Sequence, residues 1–172
     1  VAHEFGHALG LPDYYHWIDR NAGARGRRWV LGCWELMAAG SWGCGPMDDP
    51  TGSFGPTHLS APLKQQLGWS RYIDVGEVWN QEFLLPSIQS SGVALRVPMG
   101  EGGSEFLIAE YRTRSGFDQQ LPAEGVLFYK QDVRAARQPD LAGAPYYLSV
   151  LERDDNRGLL ETHFEGGNRG EA

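Results

Sequence analysis

No apolar run in the 172-residue chain approaches the roughly 20 residues that a helix needs to cross a bilayer, so no membrane span is expected. Clustered positive charge is scarce too. There are 15 Lys and Arg against 22 Asp and Glu, a formal charge of −7, and the nearest basic run, Arg25-Gly26-Arg27-Arg28, is short and isolated. Nothing here tracks a phosphate backbone, and nucleic acid is not an expected partner. A Gly-x-Ser-x-Gly elbow is missing, and neither Cys sits in a catalytic motif, so serine and cysteine nucleophiles have no support. Internal repeats and low-complexity segments are absent. No initiator Met or signal peptide precedes Val1-Ala2-His3, and the chain is read as part of a longer protein, entered inside a helix.

What is present points to a folded domain. Hydrophobic residues make up 41%, with 6 Trp, 7 Tyr and 7 Phe, enough for a real core in a chain of this length. The 23 Gly and 10 Pro predict many turns and short elements. The 2 cysteines, Cys33 and Cys44, bracket a Trp- and Gly-rich loop. They either pair, which fits an oxidising compartment, or remain two small buried thiols.

Residues 1–10 read as the end of a helix, with Gly10 as its left-handed cap and Pro12 as a stop signal. A loop-rich stretch, 13–58, follows; loops of that length inside a domain are usually functional. Ser60 is placed to cap a short helix over Ala61 to Leu67, closed by Gly68. Strands are expected at Glu82–Pro86, Val93–Val97, Glu105–Tyr111, Gly125–Lys130 and Tyr146–Glu152, and residues 131–145 as an exposed loop. The expected class is α+β: an active-site helix, a loop-rich segment, a short helix, then an antiparallel β region. Residues 1–75 form the first part, 76–164 the β-rich part, and 165–172 a tail expected to fray.

The chemistry lies at the start. His3-Glu4-Phe5-Gly6-His7 fits the H-E-x-x-H pattern, in which two imidazoles four residues apart on one helix face reach one cation. Zinc prefers such nitrogen donors and keeps a position for water, whose pKa it lowers toward about 7. Glu4, beside His3, is placed to take the proton of that water and to pass it to the leaving amine. Gly10 and Asp13 extend the pattern to H-E-x-x-H-x-x-G-x-x-D, which chance meets far less often. A glycine reversal just past the helix lets Asp13 swing back as an oxygen ligand; His at that position is the metzincin form. Alternatively, Asp13 is a turn residue and the third ligand is His16, or a distant acid among Asp19, Glu35 and Asp48. Tyr14 and Tyr15 are candidates for hydrogen bonding an oxyanion, or for packing against the loop. Paired acids Asp48-Asp49 could bind calcium or simply be solvated. His58, before a helix cap, reads as structural, and His163 has no role.

Four blocks resemble the immune-inhibitor-A type of secreted bacterial metallopeptidase: VAHEFGHALGLPDYY; Trp34-Glu35-Leu36-Met37-Ala38-Ala39-Gly40-Ser41-Trp42; Pro56-Thr57-His58-Leu59-Ser60-Ala61, with Lys64, Leu67, Gly68 and Trp69; and Phe106 to Arg112 running on to Gly116-Phe117-Asp118 and Gly125 to Tyr129. The resemblance implies a zincin catalytic domain and places Met37 in a turn beneath the zinc, unless it only packs between two Trp. It also implies secretion, a propeptide in the parent protein, and protein or peptide substrates. One departure stands out: Lys130-Gln131-Asp132 occupies a stretch where relatives often carry His and an acid. The rival to an enzyme is a zincin scaffold kept for binding alone, which would have no need of Glu4.

Overall fold

Helix α1 spans Ala2–Ala8, and the cap at Gly10 is the one the sequence predicts. Leu9 is still right-handed, Gly10 has φ of 90°, Gly10 N–H donates to His7 O at 2.9 Å and Leu11 N–H to Gly6 O at 3.1 Å. This is a Schellman closure, in which a left-handed glycine satisfies the orphan carbonyls and reverses the chain. Leu11 drops into the core as a result, and the residues after it return along the helix. The computed structural model describes residues 1–17, 20–21, 27–44, 55–76, 80–100, 102–137 and 145–152.

Two short strands follow, β1 (His16–Trp17) and β2 (Arg27–Arg28), paired antiparallel. The chain then makes 3₁₀ turns at Gly32–Trp34 and Ala39–Trp42. A disulfide joins Cys33 to Cys44 with their Cα atoms 5.1 Å apart, so of the two sequence alternatives the bridge is the one formed. Helix α2 (Ala61–Gln66) begins at Ser60, whose backbone has the extended form of an N-cap. Its side chain makes no capping bond, and Pro62 sits in the first turn, where the missing N–H costs little.

The second half is a five-stranded sheet. Its strands are β3 (Arg71–Asp74), β4 (Val93–Met99), β5 (Glu105–Arg112), β6 (Gly125–Asp132) and β7 (Leu148–Val150), adjacent in chain order. A single-turn helix, α3 (Ile88–Ser91), precedes β4. The α+β character stands, with one correction: β3 and β4 run parallel, so the sheet is mixed rather than antiparallel. A second correction concerns Glu82–Pro86, which forms no strand. Leu84 is 95% exposed there, and Pro86 offers no donor for a ladder. The expected strand at Tyr146–Glu152 contracts to Leu148–Val150.

The inner sheet face carries Ala94, Ile108, Leu127, Tyr129, Leu148 and Val150, which join Tyr14, Met37, Leu63 and Leu121 in one buried cluster. Charge is buried among them. The Arg112 guanidinium is wholly enclosed and reaches Glu110 at 3.0 Å, both Asp118 oxygens at 2.8 and 2.9 Å, and Trp34 O at 3.0 Å. Glu110 also accepts from Ala61 N–H and from the Tyr129 hydroxyl, each at 2.6 Å, while Asp118 accepts from His58 N–H at 2.9 Å. Buried ions persist only when paired and fully hydrogen-bonded. Here the pairing spans the sheet, the start of α2 and the Trp34 turn, and so holds the loop-rich half against the β-rich half.

Candidate metal and catalytic site

His3 and His7 project from the same face of α1, with ring centroids 4.8 Å apart. Each ring is fixed by its Nδ1. That atom lies 2.9 Å from Leu36 O for His3 and 2.9 Å from Leu11 O for His7. A carbonyl oxygen only accepts, so each Nδ1 must donate, and in the neutral imidazole the lone pair is then on Nε2. Both Nε2 atoms face a single oxygen, Asp13 Oδ1, at 3.0 and 3.3 Å. That oxygen is buried and has no hydrogen-bond partner.

Three lone pairs therefore converge with no proton between them when the rings are neutral. The donor atoms of His3, His7 and Asp13 all lie within 4.8 Å of one another, the one such group of metal-binding side chains among the described residues. Two imidazole nitrogens and a carboxylate oxygen suit a divalent transition-metal ion. The residues present fit the ion that the motif implies.

The turn after Trp34 supports this arrangement from below. Met37 is wholly buried, and a Cβ added at Gly6, on the underside of α1, would collide with its sulfur. Met37 O accepts from Tyr14 N–H at 2.7 Å, which pins the chain one residue beyond Asp13. Glu35 lies fully buried in the same turn. One of its oxygens takes Met37 N–H at 3.0 Å and the other Ser60 N–H at 2.7 Å.

Beside the three donors is a cleft of about 550 Å³ lined in part by His3, Glu4, Tyr15, Arg27, Leu36 and Trp42. Glu4 is exposed toward it. The Arg27 guanidinium carbon sits 4.2 Å from the Trp17 ring centroid, 4.7 Å from Tyr15, 5.2 Å from Trp29 and 5.7 Å from Trp42. Such cation–π packing holds the charge and the rings together as one wall.

The remaining candidates separate. Tyr15 lies against the site, its ring 6.4 Å from that of His3; burial and then the Asp13 charge raise its pKa, opposed by Arg27. Tyr14 is wholly buried, its hydroxyl accepting from Gln66 at 3.4 Å, and desolvation raises its pKa strongly. It belongs to the core and not to the cleft. His16 is buried and stacks on Tyr146 at 5.7 Å, and Glu35 is committed to backbone N–H groups, so neither joins the three-donor cluster. Asp19, Asp48, Asp49 and His163 lie outside the described residues. His58 packs edge-on against Phe117, 5.3 Å away, and burial lowers its pKa. The sequence reading missed Arg27 as a cleft residue and Glu35 as a clamp. The first appeared only as part of a weak basic run, and a lone Glu between Trp and Leu carries no local mark of burial.

Residues 1–70 match the family model described as the immune inhibitor A peptidase M6, catalytic domain. The matched span includes every residue of the three-donor cluster, Glu4 and the Met37 turn. At this level the chain is similar to a metallopeptidase, a hydrolase acting on proteins. No curated protein and no solved structure matches the chain. Among the described residues, no helix is long and apolar enough to cross a membrane.

Proposed function

We propose that this chain carries the active centre of a zinc-dependent endopeptidase with a zincin-type fold, in which His3, His7 and Asp13 hold the metal and Glu4 is the catalytic carboxylate. The observation behind this reading is the convergence of two Nε2 lone pairs on the unpartnered Asp13 Oδ1. With both rings neutral these lone pairs repel unless a cation lies between them, and the local fold fixes them there through carbonyl contacts to both rings.

A zinc ion held by these residues supplies Lewis acidity, making a water more acidic and polarising the scissile carbonyl. Glu4, exposed at the cleft beside His3, takes the proton from the attacking water and returns it to the leaving amine nitrogen. Tyr15 is the better placed of the two tyrosines to donate a hydrogen bond to the oxyanion, since Tyr14 is closed off in the core. The Leu36–Trp42–Tyr15 side of the cleft receives an apolar part of the protein substrate, with the Arg27 assembly as its rigid wall. Secretion is part of the same proposal, and the Cys33–Cys44 bridge suits an oxidising compartment.

The test is hydrolysis of an unfolded protein by the chain in its full-length parent. A zinc chelator should abolish turnover. Glu4→Ala should lower it by about 10²–10⁴-fold while the bound metal stays at one ion per chain. A folded, metal-loaded, propeptide-free protein with no turnover would overturn the enzyme reading and leave a binding scaffold.

A further inference from the structure

A buried carboxylate on a tight turn is costly unless its oxygens do something that the backbone cannot. In the turn of residues 35–38 the backbone already closes itself. Ala38 N–H and Gly40 N–H both donate to Glu35 O at 3.0 Å, and Trp34 O is held by Arg112. An apolar side chain at position 35 would leave those bonds intact. The Glu35 carboxylate is nevertheless enclosed, and each of its oxygens takes one further backbone N–H, from Met37 and from Ser60. Those two groups are 23 residues apart in sequence (60 − 37).

Three contacts run from this turn to the three donor residues. Leu36 O receives His3 Nδ1–H, and so decides which nitrogen of that ring carries the lone pair. Met37 O receives Tyr14 N–H, next to Asp13. The Met37 side chain lies against Gly6, next to His7. If the turn rotates, all three donors move.

We propose that Glu35 is a positioning residue of the His3–His7–Asp13 centre, its carboxylate bolting the Leu36–Met37 turn to the start of α2 so that the three donors stay convergent. The inference rests on the metal site proposed above, but it concerns geometry set before any ion arrives. It assigns Glu35 no contact with metal or substrate. The Gln side chain has nearly the same shape but presents an NH₂ to one of the two backbone N–H groups, so one of the two bonds must break.

The experiment compares the wild-type protein with Glu35→Gln in three readouts. The first is the tautomer of His3 in metal-free protein, by nitrogen-15 NMR. The others are zinc affinity, by competition with a chelating dye, and thermal unfolding. A control variant, Val93→Ala, removes buried side-chain volume in β4, outside the core cluster that holds Met37. In Glu35→Gln the single Nδ1–H tautomer should give way to a mixture, and zinc affinity should fall on the order of tenfold or more. The control should lose stability yet keep both the tautomer and the affinity. If the Gln variant does not fold, Glu35→Asp, a methylene too short to span both N–H groups, should give the same two changes. An unchanged His3 tautomer with affinity within twofold of wild type, or a control that shifts as far, would overturn the proposal. The metal-free tautomer separates the two readings: a fixed ring in wild type that Glu35→Gln releases supports the positioning role even if zinc never binds.

Discussion

Met37 lies directly beneath Gly6, so close that the helix residue has no room for a side chain. The contact sets the height of α1 over the turn and makes Gly6 a position chosen for space. Its backbone is helical, so no left-handed conformation is involved.

Gly6→Ala should therefore act through overpacking rather than through helix propensity, which favours Ala. A cost of about 1–3 kcal/mol is expected, together with a loss of zinc affinity as the His3–His7 pair lifts from Asp13. Chemical denaturation and zinc titration of the same variant check both. A more stable variant with unchanged affinity would mean that Met37 yields and the floor is soft.

Asp13→Ala separates the two sequence alternatives for the third ligand. A metal that binds only the folded state stabilises it by about 4.1 kcal/mol at a thousand times its Kd. Wild type should melt at a visibly higher temperature with added zinc, and Asp13→Ala should show little of that rise. An undiminished rise in the variant would return the role to a residue outside the described set, such as Asp19 or Asp48.

Arg112 is the keystone of the buried ions, and removing it leaves Glu110 and Asp118 enclosed without the guanidinium that pairs them. Arg112→Met should cost about 3–5 kcal/mol, measured by urea unfolding. The pH dependence has a definite sign. Burial works to raise the Asp118 carboxyl, but Arg112 overcomes it and holds the folded value below the ordinary 3.8. Asp118 thus contributes stability above that range, lost as pH falls through it. Glu35 acts the other way. Burial lifts its carboxyl from 4.5 to about 7, against the opposing Ser60 and Met37 hydrogen bonds. Between those values the folded state holds a proton that the unfolded chain has released, so this group's contribution falls as pH rises. Glu35→Gln should remove that second slope and leave the acid-side loss in place.

The Cys33–Cys44 bridge closes a short loop, its ends 11 residues apart. Replacing both cysteines with serine should cost about 2–4 kcal/mol. The Trp29–Trp42 edge contact, at 5.6 Å, lies beside this loop. Its near-ultraviolet circular dichroism should weaken in the same variant, and an unaltered signal would mean that the aromatic wall stands without the bridge.

The three-donor cluster was legible because it is local. A four-residue spacing on a helix and a glycine reversal put His3, His7 and Asp13 together through backbone rules that hold anywhere. The β-rich half was legible in outline, since Val93–Met99, Glu105–Arg112 and Gly125–Asp132 carry strand-forming side chains along their length. Missed elements were those that owe their form to neighbours. Arg71–Asp74 is short and charged at both ends, with only its two central residues partly buried, and becomes a strand by pairing with Val93 to Arg96. The burial of Arg112, Glu110 and Asp118 carries no local mark, because nothing in a linear sequence says that an Arg will meet a carbonyl 78 residues away. Tyr14 and Tyr15 were equivalent in sequence, and the reversal after Gly10 sends one into the core and the other to the cleft.

The donors and their supports differ in how far apart they lie along the chain. The first and last donors are separated by ten positions (13 − 3), while Leu36, in the turn that orients them, is 33 residues from His3, and Glu35 of that turn is clamped to Ser60, 25 residues beyond it. Closing the short loop requires little ordering of the chain; the long-range contacts wait for the rest of the domain to assemble. During synthesis, an ion could then be caught loosely by the emerging helix and gripped only after α2 docks. Loading would be an early event and affinity a late one, so zinc release rates followed during refolding should slow in two stages.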